Sequence, residues 1–136
     1  PSRYYQDLLF ITLTAEITAR YSSEHEEPYR AETLAAACDL PLRQTQDALS
    51  QLRQMGLIIE VNYGRETVEG GYYNPNIPPE RFTLALLLEA IDRYGSTGLE
   101  LPEEVRTSSA GKARNRVYRA MISAGHEILV VDLAQG

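Results

Sequence analysis

Two histidines, one cysteine and nineteen carboxylates are the side chains with which this 136-residue chain could carry out hydrolytic or metal chemistry. A metal-dependent hydrolase needs several His and carboxylate ligands held together. His25 and His126 lie 101 positions apart, and neither an H-x-H-x-D-H nor an H-E-x-x-H run occurs. The acidic clusters "EHEE" (24–27) and "PEE" (102–104) fall in loop-like stretches and read as solvated acids. Serine catalysis would need a nucleophile elbow, which is absent. No candidate base has a neighbouring group to orient it. Cys38 alone excludes an internal disulfide and a cysteine-built metal site. Its setting, "LAAACDL", makes it a small buried hydrophobe. The expectation is a protein with no catalysis of its own, no metal and no cofactor.

Recognition is the other chemistry on offer. In "LPLRQTQDALSQLRQMGLIIEV" (40–61), Arg43, Gln44 and Gln46 stand near the start of a helix, where Arg or Gln could read guanine or adenine. With Asp47, and Arg65 further on, they form a candidate interaction or DNA-reading face. The alternative is a solvated polar surface, and the surroundings favour it. Asp47 lies one turn after Arg43 and can pair with it. The following hairpin sets Arg65 against Glu60, Glu66 and Glu69. The formal charge is −6 and the pI 4.9. Residues 1–95, with 8 basic and 14 acidic side chains, carry all of that charge. Phosphate binding requires clustered cations. A second feature, "GKARNRVYRAM" (111–121), puts Lys112, Arg114, Arg116 and Arg119 in one stretch. That basic patch could attract headgroups or RNA, but a solvent face balanced by Glu103, Glu104 and Glu127 is the preferred reading. In "GGYYNP" (70–75) the glycines permit a hairpin and the tyrosines pack.

Apolar spacing defines the elements that carry these residues. Residues 3–21 form a helix apolar on more than one side, hence central. "SSEHEEP" is a linker, and 30–38 a short Ala-rich helix anchored by Leu34. Pro41 starts the next helix, with Leu42, Thr45, Leu49, Leu52 and Met55 inward and Arg43, Gln44, Asp47, Ser50, Gln51 and Gln54 outward. Gly56 is its left-handed stop. "LIIEVNY" and "YYNP" read as the strands of a hairpin. "NIPPER" is a connector without helix, and Thr83 caps "LALLLEAIDRY", closed by Gly95. Residues 96–110 read as loop. A last helix over about 112–124 should turn Ala113, Val117, Ala120, Met121 and Ala124 inward, with Gly125 as its stop and a short apolar tail packed on the body.

Helix, helix, helix, hairpin, helix is the order of the winged helix-turn-helix. The expected fold is mainly α, with a small β-hairpin wing and extra C-terminal helices. Residues 1–95 would be the winged-helix domain and 96–136 a helical extension packed on it, a single domain overall. No 18-residue apolar run is present to span a bilayer.

Several segments together resemble one family. "SRYYQDLLFITLTAEITARY", the 40–61 block, "YYNPNIPPERFTLALLLEAIDRYGS" and "VVDL" are similar to the C-terminal region of the YihY (virulence factor BrkB) family, inner-membrane proteins labelled "ribonuclease BN". The resemblance implies a regulatory or interaction module on the cytoplasmic side of the inner membrane. Its partner would be the membrane-embedded part of the same polypeptide, encoded upstream of Pro1, with a homodimer or another protein as further partners and nucleic acid less favoured. A second resemblance joins "GGYYNPNIPPERFTLALLLEAID" to the wing and following helix of iron–sulfur-sensing winged-helix repressors. Those carry three cysteines just beyond that helix, and this sequence has none there. It implies the alternative function, a DNA-binding transcriptional regulator without a cluster.

Overall fold

The computed structural model describes residues 2–62, 70–96 and 100–135. The first helix, α1 (Arg3–Ser22), starts where the Ser2 hydroxyl accepts the Tyr5 N–H at 3.1 Å. Its residues Leu13 to Thr18 are all buried. Helix α2 (Ala31–Cys38) ends at Asp39, whose φ of 54° makes the left-handed turn into Leu40 and Pro41. Helix α3 (Leu42–Gln54) follows, and its inner face is Thr45, Ala48, Leu49 and Leu52. Gly56, at φ 79°, closes α3 in a conformation that costs other residues a steric clash.

Two strands come next, β1 (Ile58–Val61) and β2 (Tyr72–Pro75), antiparallel with Ile58 opposite Pro75 and Val61 opposite Tyr72. The tip of the hairpin lies outside the described residues. The Tyr73 N–H donates to the Tyr29 carbonyl at 2.8 Å, fastening the hairpin base to the approach to α2. "NIPPER" is not wholly non-helical. Pro79–Arg81 forms one 3-10 turn, which proline at the first position tolerates because its missing N–H has no partner to lose there. Helix α4 (Leu84–Gly95) begins with the Thr83 hydroxyl accepting the Leu86 N–H at 3.1 Å.

The segment expected to be loop holds a one-turn helix, α5 (Glu103–Arg106), and the first turn of α6 (Ser109–Ala124). Ser108 caps α6 by accepting the Gly111 N–H at 3.2 Å, so the helix starts three residues before the expected 112. Gly111 is a site of close approach rather than a break. A Cβ there would stand 2.1 Å from the Arg106 carbonyl oxygen.

The expected inner face of α6 is also corrected. Ile122 is the buried residue of this helix, while Val117 is 69% and Met121 45% exposed, and Ala113, Ala120 and Ala124 face water too. From Val117 to Ile122 is a rotation of roughly 140° at 3.6 residues per turn. The apolar stripe therefore points away from the body. Beyond two 3-10 turns, Gly125–Glu127 and Val130–Leu133, the chain runs back along α1. Val130 is fully buried, its N–H on the Phe82 carbonyl at 2.9 Å, and the Gln135 N–H reaches the Glu16 carboxylate at 2.7 Å. The core gathers around α1 from Leu13, Ile17, Leu34, Leu49, Leu52, Phe82 and Leu87.

Candidate nucleic-acid interface

Helix α3 is held by what it buries. Leu49 and Leu52 are 1% and 0% exposed, and Thr45 satisfies its hydroxyl on the Pro41 carbonyl at 3.0 Å. Leu42, expected on the inner face, is 41% exposed. Its direction around the helix is right, but it is the first helical residue and overhangs the edge of the core. The opposite side stands in water: Arg43, Gln46, Asp47 and Ser50 are exposed. The expected Arg43–Asp47 pair is not formed. Among the described residues Arg43 makes no ion pair, so its guanidinium keeps all five donors.

Gln44 behaves differently from its neighbours. It is half-buried and turned toward α1, where its Nε2 donates to the Tyr5 phenol oxygen. Tyr5, which sequence reasoning did not single out, is thus part of this face, with 43% of its surface exposed. Between α1 and α3 runs an open groove of about 490 Å³, floored by Leu9, Phe10 and Ala48 and rimmed by Tyr5, Gln44 and Asp47.

The far end of α3 is fastened to the hairpin. Arg53 pairs with Glu60 at 3.2 Å, and the other Glu60 oxygen accepts the Gly71 N–H at 2.8 Å. One carboxylate therefore spans α3, β1 and the entry to β2, which sets the angle of the hairpin base against α3. The Tyr94 hydroxyl donates to Gln54 at 2.7 Å from α4. Arg65, the fifth residue of the expected face, lies outside the described residues.

The basic patch sits elsewhere, on α6. Lys112, Arg114, Arg116 and Arg119 are all exposed, and among the described residues none makes an ion pair, so Glu103, Glu104 and Glu127 do not neutralise them directly. Lys112, Arg116 and Arg119 follow one stripe at i, i+4, i+7 spacing. Arg114 departs from it, stacked over the Tyr118 ring at 4.9 Å. Where α6 passes the start of α1, the Arg3 guanidinium is bound to Asp92 of α4 and lies 3.9 Å from Asp7. Burial, reinforced by Asp92 and opposed by Arg3, holds the Asp7 carboxyl above its ordinary pKa. Burial also raises the Tyr118 phenol, helped by its hydrogen bond to Asp92. The Cys38 thiol is raised by burial and by Glu16, against thiolate reactivity.

His25 and His126 are exposed, and among the described residues no group of three His, Cys, Asp or Glu side chains could hold a metal ion. No helix among them is long and apolar enough to cross a membrane.

No family model matches the chain, and no curated protein matches it. Solved structures do. Staphylococcus aureus CymR in its oxidised form is 18% identical at a TM-score of 0.61, covering 96% of this chain and 94% of that one. IscR of T. potens is 16% identical at 0.65, covering 98% and 84%. CymR (YrzC), the global cysteine regulator of B. subtilis, is 17% identical at 0.63, covering 96% and 94%. The fold is a mainly helical winged helix with a two-stranded hairpin, shared with these proteins over 84–94% of their length. The expectation of a module serving a YihY-like membrane protein is overturned. What overturns it is that the similarity found is to CymR and IscR, covering 96–98% of this chain and 84–94% of theirs.

Proposed function

We propose that this protein is a winged-helix transcriptional regulator that binds DNA as a dimer, with α3 as its recognition helix. The carrying observation is the exposed Arg43, free of Asp47, beside Gln46 and Ser50 on a helix whose other side is locked into the core. Such a helix can enter the major groove, about 12 Å wide, without unfolding anything. Arg43 is suited to a guanine edge and the neighbouring amides to adenine. The structural likeness to CymR and IscR supports the reading through the fold.

The dimer rests on α6. Val117, Met121 and the alanines at 113, 120 and 124 form an exposed apolar stripe among the described residues. A second copy presenting the same stripe would cover both at once, as a two-fold interface does. Two recognition helices would then read half-sites about one DNA turn, roughly 34–36 Å, or a multiple of it, apart.

The overall charge of −6 shapes the affinity without forbidding it. Phosphate contacts depend on local cations, and α3 supplies few. Binding is therefore expected to lean on base contacts, with a shallow dependence on salt. The test is selection from a randomised duplex pool at physiological salt, followed by anisotropy titration of wild type and Arg43→Ala. The expected result is a preferred, roughly palindromic sequence bound below about 1 μM and lost in the variant. Affinity confined for every sequence to the non-specific range of roughly 10⁻⁴ to 10⁻⁶ M would sink the reading.

A further inference from the structure

We infer that Tyr5, on α1, is a specificity-determining residue of the reading face and acts by orienting the Gln44 carboxamide; this rests on the DNA-reading role of α3 proposed above. Gln44 lies on the edge of α3 that faces α1, and its Nε2 donates to the Tyr5 phenol oxygen. The contact joins residues 39 positions apart, so it belongs to the tertiary fold and not to the helix. Tyr5 and Gln44 line one groove from its two sides, α1 and α3, together with Leu9 and Phe10.

A carboxamide has two ends with opposite chemistry, two N–H donors on nitrogen and an acceptor oxygen. An unrestrained glutamine can turn either end outward. With one N–H committed to Tyr5, the second N–H and Oε1 remain for a ligand. That donor–acceptor pair matches the major-groove edge of adenine, whose N7 accepts and whose N6 amino group donates. Guanine offers two acceptors there, O6 and N7, and would need the nitrogen turned outward with both its hydrogens free. By occupying one of those hydrogens, Tyr5 favours adenine over guanine. It also spends part of the ordering cost before DNA arrives, as preorganisation does.

Neither side chain is charged, so their contribution should appear in sequence preference and not in the salt dependence. A good bidentate contact discriminates between bases by roughly 5- to 150-fold. Removing the restraint should bring discrimination at one base pair per half-site close to parity while leaving the other positions alone.

The experiment starts from the duplex selected with the full chain. Each A·T pair of a half-site is exchanged for G·C and for C·G in turn, and binding is measured for wild type, Tyr5→Phe, Gln44→Ala, the double variant and Gln44→Glu. In Tyr5→Phe the adenine preference is expected to collapse at one position, with the salt slope unchanged. In the Gln44→Ala background Tyr5→Phe should have no further effect. Gln44→Glu should move the preference at that same position toward cytosine, whose N4 amino group donates to a carboxylate. Circular dichroism and urea midpoints check that the variants remain folded. Tyr5→Phe keeping full preference at every position, or weakening all duplexes equally, overturns the inference while DNA reading by α3 stands. A selection that recovers no preferred duplex overturns the functional reading, and this inference with it.

Discussion

Truncating Leu52 to alanine should cost about two to three times what the same change costs at Leu42, although both were expected on the inner face of α3. Leu52 is fully buried in the cluster that holds Leu13, Leu34 and Leu49. The substitution removes three carbon groups at about 0.8 kcal/mol each, near 2.4 kcal/mol. The remaining cavity adds roughly 24 cal/mol per Å³, which brings the total to about 3–4 kcal/mol where the surroundings cannot collapse. Leu42 keeps 41% of its surface in water. The same groups then recover about 60% of the transfer value, near 1.4 kcal/mol at most, and an opening to solvent leaves no enclosed cavity. Against a total stability of about 5–15 kcal/mol, the first loss is large and the second tolerable. Urea unfolding followed by circular dichroism measures both. Protein concentration is held equal because a dimer's stability depends on it. Equal costs for the two variants would refute the placement of α3 on the core.

Val117→Asp puts a charge into the exposed α6 stripe and should convert a dimer to monomers in sedimentation velocity with little loss of monomer helicity; an unchanged dimer would place the interface elsewhere. Glu60→Ala removes both the Arg53 ion pair and the acceptor for the Gly71 N–H, and should cost about 1–2 kcal/mol, since charge-assisted hydrogen bonds contribute more than exposed pairs. The urea midpoint checks this, and no change there would mean that the hairpin base is fixed by backbone pairing alone. Asp7 has a folded pKa raised chiefly by burial, so the fold binds that proton more tightly than the unfolded chain does. Stability should therefore fall as pH rises from about 4, the ordinary Asp value, through the folded pKa, and level off above it. Asp7→Asn should remove that component, so that the urea midpoint of the variant relative to wild type rises with pH across this window.

The helix-turn-helix was legible because its punctuation is local. Pro41 can only begin a helix, Gly56 supplies the positive φ that ends it, and Thr45, Leu49 and Leu52 repeat at the helical period between them. The strands declared themselves by β-branched and aromatic residues flanking turn chemistry. Helix α6 was recognised but turned the wrong way. A one-sequence pattern shows that Val117, Met121 and the alanines share a face. It does not say whether that face meets the chain's own body or a different molecule. The body is met instead by Ile122, Tyr118 and Gly125, a surface whose mixed composition carries no periodic signal. Tyr5 was missed for a related reason, since a hydrogen bond across 39 positions leaves no trace in spacing. The functional error came from charge. The balance of residues 1–95 was weighed as a whole, and Arg43 was discounted for a pairing with Asp47 that the structure does not form, whereas the groove recognition proposed above depends on the few groups on one face of α3.

The bond between Gln135 and Glu16 has a consequence for how the chain is made. Helix α1 is synthesised before residues 130–135, which supply part of its wall, 119 positions away at the closing hydrogen bond. At about 5–20 residues per second, α1 waits roughly 6–24 s for that cover. During the interval the side of α1 that carries Glu16 stays open to chaperones or to other nascent chains. Contacts of such long sequence separation also slow refolding, because the intervening loop must close before they form. Substitutions in the last turn, at Val130 above all, should therefore lower the yield of folded protein during synthesis more than their distance from α3 suggests.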